Sequence, residues 1–130
     1  MVKVLIVEDN DHLNKAYKLI LEKSGHEISV AFNGEEGLVK ASEDEPAVIL
    51  LDILMPKMDG IAFMKAYDAP NKHKNVKVVI LTNLGEEKQV QEAMALGAHR
   101  YILKAHASPQ QLATIVSHVV KKEFEPPEEE

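Results

Sequence analysis

The chain has 130 residues, 45% of them hydrophobic and 28% charged, a net charge of -6 and no cysteine. That length suits one domain, able to bury roughly two-thirds of its unfolded surface. The acidic balance argues against a nucleic-acid-binding face, which needs clustered Lys and Arg, and the lack of cysteine excludes disulfides and thiolate metal sites.

Val4–Val7 is an uninterrupted apolar run that stops at Glu8-Asp9, the pattern of a strand buried on both faces. Leu13, Ala16, Tyr17, Ile20 and Leu21 then recur at helical spacing. Asn10 or Asp11 can cap that helix, and Gly25 closes it. Glu27–Ala31 reads as a short strand. Asn33-Gly34 opens a weaker helix to about Glu43, with Leu38 and Ala41 inward and Pro46 beyond its end.

Ala47–Leu51 is the most apolar run, and it ends at Asp52; Pro56 and Asp59-Gly60 mark the loop that follows. A helix is expected from about Gly60 to Ala69, stopped by Pro70-Asn71. Lys77–Leu81 is a fourth strand, ending at Thr82-Asn83. Val90, Ala93, Met94 and Gly97 line a helix that begins near Gly85, and Arg100–Lys104 is a fifth strand. Ser108-Pro109 starts a last helix whose Leu112, Ile115, Val116 and Val119 face inward.

Five strands alternating with five helices imply a doubly wound α/β fold, a parallel sheet covered on both faces and wound by right-handed crossovers. Residues 1–124 are expected to form the domain, and 125–130, acidic and proline-bearing, a disordered tail. No apolar run approaches the ~20 residues of a membrane span, and Met1–Val7 is too short for a signal-peptide core. A soluble, cytoplasmic protein without membrane or nucleic-acid partners is expected.

In open α/β sheets ligands bind beyond the carboxyl ends of the strands. Glu8, Asp9, Asp52, Thr82 and Lys104 all stand at that level. Singly each has a plain structural use; the acids of 8–11, for instance, suit a helix N-terminus. Together they make a crevice in which three carboxylates repel one another and a hard divalent cation such as Mg2+ relieves the repulsion. With a lysine and a hydroxyl added, the group can clamp phosphoryl oxygens, and Asp52 can act as the nucleophile that forms an aspartyl phosphate. The six histidines show no ligand spacing, and His12, beside the acidic loop, is the only one near the site.

Four segments carry a family resemblance: Val-Leu-Ile-Val-Glu-Asp-Asn at 4–10, Leu-Leu-Asp-Ile-Leu-Met-Pro-Lys-Met-Asp-Gly at 50–60, Leu-Thr-Asn at 81–83 and Tyr-Ile-Leu-Lys at 101–104. From about Lys3 to Lys122 the chain resembles a response-regulator receiver domain of two-component signalling. The resemblance implies a flavodoxin-like (βα)5 fold with strand order 2-1-3-4-5; that order comes from the family, not from the residue pattern. It implies that Asp52 accepts a phosphoryl group from a phosphohistidine on a sensor histidine kinase or histidine phosphotransfer protein. It further implies Mg2+ held by Asp9, by Asp52, by the Leu54 backbone carbonyl and, through water, by Glu8. Lys104 would pair with the phosphoryl oxygens, Thr82 would move to hydrogen-bond them, and Tyr101 would turn inward behind it. The surface of residues 85–122 would then change for a downstream protein partner.

Three features depart from the family or bear on rival readings. Ala105 stands where receivers usually carry proline after a cis bond; cis costs ~2.5–4 kcal/mol before a non-proline residue, so a trans Lys104–Ala105 bond is expected. Leu54 and Leu84 put apolar side chains beside the phosphoryl site and are expected to slow loss of phosphate by crowding out water. A haloacid-dehalogenase-type hydrolase would want an aspartate at Leu54, and a flavodoxin a hydroxyl-rich loop after the first strand. The reading is thus a stand-alone switch that catalyses only its own phosphorylation and dephosphorylation; the alternative is a receiver-like interaction scaffold that does not use phosphate.

Overall fold

The computed structural model describes residues 2–55 and 57–122; Pro56 and the acidic 125–130 segment lie outside them. Five strands, β1 (Lys3–Val7), β2 (Glu27–Ala31), β3 (Val48–Asp52), β4 (Lys77–Thr82) and β5 (Arg100–Leu103), form one parallel sheet in the order β2-β1-β3-β4-β5. Helices α1 (Asp11–Lys23), α2 (Gly34–Asp44), α3 (Gly60–Tyr67), α4 (Glu87–Ala95) and α5 (Pro109–Lys122) connect and follow them. This is the flavodoxin-like arrangement that the motifs implied.

Side chains alternate between the faces of a strand, and the central strands are apolar on both. Val4, Ile6, Val48, Leu50, Val79 and Leu81 meet Tyr17 and Leu21 of α1 and Leu112, Val116 and Val119 of α5. Their neighbours Leu5, Val7, Ile49, Leu51, Val78 and Ile80 meet Ala41 of α2, Phe63 and Met64 of α3 and Val90 and Ala93 of α4. Two cores therefore clamp β3, every residue of which is buried. Asp52 is held at the end of the most enclosed strand in the molecule's centre.

Local chemistry sets the boundaries. Asn10, not Asp11, caps α1, its side-chain oxygen accepting the Leu13 N–H at 3.0 Å. Asn33 caps α2 in the same way through the Glu36 N–H at 3.0 Å. Four expectations are corrected. Pro70 does not stop α3: the chain turns at Asp68, whose φ is +51°, and Pro70 sits in a separate helical turn, Ala69–Lys72, at an early position that tolerates proline. Helix α4 begins at Glu87 rather than near Gly85, because Gly85 has φ +92° and belongs to a turn. Gly97, with φ +106°, lies beyond that helix, and Met94 is partly exposed rather than inward. Strand β5 stops at Leu103, and Lys104 opens a short 3-10 turn, Lys104–His106.

The loop after β3 is drawn tight by glycine. The Gly60 N–H donates to the Ile53 carbonyl at 2.9 Å. A Cβ on Gly60 would stand 2.8 Å from Ile53 Cα and 2.9 Å from the Asp52 carbonyl oxygen, both backbone atoms that cannot swing aside. Gly60→Ala is expected to cost about 1–3 kcal/mol, measured by urea denaturation; parental stability would show that the loop has slack.

Candidate functional site

Glu8 and Asp9 follow β1, Asp52 ends β3, and Lys104 follows β5, so the sheet order brings them to the carboxyl edge beside one another. The Lys104 ammonium lies 2.7 Å from Glu8 Oε1 and 3.0 Å from Asp52 Oδ2. Glu8 is wholly buried and Asp52 is 3% exposed, whereas Asp9 is open to solvent. Glu8 Oε2 accepts the Asn10 N–H at 3.0 Å, and Asp52 Oδ1 accepts the Leu54 N–H at 3.4 Å. Among the described residues, Glu8 Oε1 has only the lysine. Lys104–Ala105 is trans, as are the other described peptide bonds.

The electrostatics follow from burial. The Asp52 carboxyl is pushed up to about 7, first by removal from water and then by the Glu8 charge, with Lys104 pulling the other way. Burial by itself would lower the Lys104 ammonium; the hydrogen bond to Glu8 and the charges of Asp52 and Glu8 outweigh it and raise it. Tyr17 beneath the pocket is also raised, by burial first and by Glu8 next. Its hydroxyl donates to the Ala107 carbonyl at 3.5 Å, tying α1 to the turn that carries Lys104.

Carboxylate oxygens of Glu8, Asp9 and Asp52 all come within 4.8 Å of one another. Oxygen donors at that spacing, one exposed and two buried with a single cation between them, fit a hard divalent ion. His12 is exposed and is not part of this group.

The switch residues stand next door. Thr82, at the end of β4, is 1% exposed, and its hydroxyl donates to Glu86 Oε1 at 2.8 Å. Tyr101 on β5 is 51% exposed. Thr82, Leu84, Val90, Met94, Tyr101 and Leu103 border a cavity of about 430 Å3 between α4 and β5. Reading the residues missed Glu86, a 7%-exposed carboxylate. Its only signal was a position four residues after a candidate site threonine, and an acid before a helix is ordinarily a solvated one.

A family model described as the response regulator receiver domain matches residues 4–117. The chain is 35% identical over 120 residues to the transcriptional regulatory protein SrrA of Staphylococcus aureus; the match covers 92% of this chain and 48% of SrrA, so the chain spans about half the length of the curated relatives it matches. Among solved structures, the Vibrio cholerae chemotaxis protein CheY4 superposes with a TM-score of 0.82 at 31% identity, covering 92% of this chain and 98% of CheY4. A receiver domain protein from Clostridium thermocellum gives 0.83 at 26% identity, covering 95% and 98%. The extent of these matches and the order of the five strands agree: the chain belongs to the response regulator receiver domains, the phosphorylation-based switches of two-component signalling.

Proposed function

We propose that Asp52 is the phosphoacceptor, taking its phosphoryl group from a phosphohistidine on a sensor histidine kinase or histidine phosphotransfer protein. The observation that carries this reading is the Lys104 ammonium 3.0 Å from Asp52 Oδ2, inside a group of three carboxylates. An Asp52 oxygen attacks phosphorus, the P–N bond breaks, and the released imidazole keeps the electron pair. Lys104, already at the carboxylate, moves onto a phosphoryl oxygen and offsets its charge. Asp9, Asp52 and the Leu54 carbonyl would hold Mg2+ directly, with Glu8 acting through water. When bound, the ion supplies further charge neutralisation at the phosphoryl oxygens.

Thr82 is proposed to turn toward the phosphoryl group, and Tyr101 to fill the cavity behind it. The cavity of about 430 Å3 already present beside a half-exposed tyrosine supports that motion. Leu84, Met94 and Tyr101 are exposed around it, and a downstream protein partner is proposed to read this face. The chain is proposed to catalyse nothing but its own phosphorylation and dephosphorylation. No helix among the described residues is long and apolar enough to cross a membrane, which is compatible with a cytoplasmic site of action.

Phosphoramidate or acetyl phosphate with Mg2+, followed by intact mass measurement, tests the assignment. A single phosphate adduct on the parent, absent in Asp52→Asn, is expected; no adduct on the parent would refute it. Leu54, exposed next to Asp52, is expected to limit water at the acyl phosphate. Leu54→Asn should therefore lose phosphate several-fold faster than the parent, about 2–10-fold in a first-order decay. A slower decay in the variant would reverse that reading.

A further inference from the structure

Glu86 departs from the usual fate of an acid at the start of a helix. Its carboxylate is turned inward, and its oxygens are satisfied by two neighbours on the loop leaving β4. Oε1 accepts the Thr82 hydroxyl at 2.8 Å and the Asn83 N–H at 3.0 Å; Oε2 accepts from the Asn83 side-chain amide at 3.5 Å. The Thr82 hydroxyl also lies 3.3 Å from the Asn83 carbonyl, but it has one proton, and the carboxylate is the nearer acceptor. The same residue begins α4, its carbonyl accepting the Val90 N–H at 3.0 Å. Gly85 just before it is exposed, has φ +92°, and would meet nothing within 4 Å of an added Cβ. The loop thus has a permissive joint followed at once by a tether.

We propose that Glu86 is a positioning residue that latches the Thr82 hydroxyl away from Asp52 and sets how readily the switch turns. The proposal rests on the Asp52 switch reading and adds to it the group that Thr82 must leave. A hydroxyl has one proton to donate, so Thr82 cannot serve Glu86 and a phosphoryl oxygen with the same bond. The phosphoryl group must out-compete a carboxylate acceptor, and hydrogen bonds to charged acceptors are the stronger kind. Once Thr82 leaves, a buried Glu86 oxygen loses a donor, which disfavours the switched state further. Because Glu86 also opens α4, its release loosens the first turn of the helix whose Val90 and Met94 border the cavity beside Tyr101. Latch and output face are joined through one residue.

The chain reports on this without a label. It has no tryptophan and three tyrosines, of which Tyr17 and Tyr67 are 0% and 5% exposed and Tyr101 is 51% exposed. Acrylamide quenching of tyrosine fluorescence therefore reads Tyr101. The test titrates beryllofluoride, a phosphoryl mimic, with Mg2+ into the parent, Glu86→Gln, Glu86→Ala, Thr82→Val and the Thr82→Val/Glu86→Ala double variant. Glu86→Ala is expected to bind beryllofluoride about tenfold more tightly than the parent. Glu86→Gln, which keeps a neutral acceptor and the parental shape, should fall between them and reads the same direction if the alanine variant does not fold. In the Thr82→Val background, Glu86→Ala should gain nothing.

Unchanged affinity in both Glu86 variants, or the same gain with and without the Thr82 hydroxyl, would overturn the latch. If beryllofluoride leaves the parent itself unchanged, the Asp52 switch reading has failed, and the latch is then judged from ligand-free quenching. Less accessible Tyr101 in the Glu86 variants than in the parent supports it, and equal accessibility sinks it.

Discussion

Asp52→Asn is expected to stabilise the metal-free chain by about 2–4 kcal/mol at about pH 8. The cause is the environment that raises the Asp52 carboxyl from 3.8 to about 7: burial first, then the Glu8 charge. A carboxyl whose folded value lies above its unfolded one favours the fold fully below 3.8, where it is protonated in both states. That contribution is lost as pH rises through about 7, because the unfolded chain then sheds a proton that the folded chain gives up reluctantly. The amide is neutral throughout, so the two proteins should have matching stability at about pH 3 and diverge with rising pH until the curve flattens above about pH 7. Urea denaturation in EDTA across that range measures the gap. Added Mg2+ should narrow it, since an ion that binds the parental folded state more tightly stabilises the parent by mass action. A variant that melts at or below the parent in EDTA at about pH 8 would show that crowding of Glu8 and Asp52 is not the governing effect.

Lys104→Met should act in the opposite direction, destabilising the metal-free chain by about 2–4 kcal/mol near neutral pH. The lysine is the only partner of the wholly buried Glu8 Oε1 among the described residues, and it is also 3.0 Å from Asp52. Removing one member of a buried ion group leaves the others uncompensated, and that penalty exceeds what the intact group contributes. The methionine side chain keeps most of the volume, so the loss would report charge rather than a cavity. Introducing Asp52→Asn into the same chain should recover much of the loss, because one of the stranded carboxylates is then gone. The two effects are coupled through contact distances, and a double-mutant cycle should be non-additive by about 1 kcal/mol or more. Additive behaviour would mean that Lys104 does not bridge the two acids in solution.

These opposite signs describe a pocket at odds with itself when no cation is present. Glu8 is held by Lys104 and Asn10, Asp52 by Lys104 and the Leu54 N–H, and Asp9 faces solvent. Stability given up at such a spot is the usual cost of a functional site. The same accounting separates Asp52 from Glu86: the first is crowded by other acids, whereas the second is satisfied by hydroxyl and amide donors. One carboxylate is set up to react, the other to hold a threonine.

Much of this was legible in the linear order of residues because its causes are local. Unbroken apolar runs at Val4–Val7 and Ala47–Leu51 specify strands buried on both faces, and the acids that end them must lie at one edge of a parallel sheet. Asn10 and Asn33 cap helices through contacts three residues away, a range a reader can span. Asp68 was harder: a non-glycine residue at φ +51° ends α3 before the proline that was expected to end it, since the turn follows from how the chain packs and not from residue type. Folding also put the Lys104 ammonium between Glu8 and Asp52, 96 and 52 positions away in the sequence, and turned the Glu86 carboxylate inward onto Thr82. Residue types state which atoms are available; the direction of a side chain, and which charge it faces, depends on contacts between segments that only the packed sheet and helices bring together.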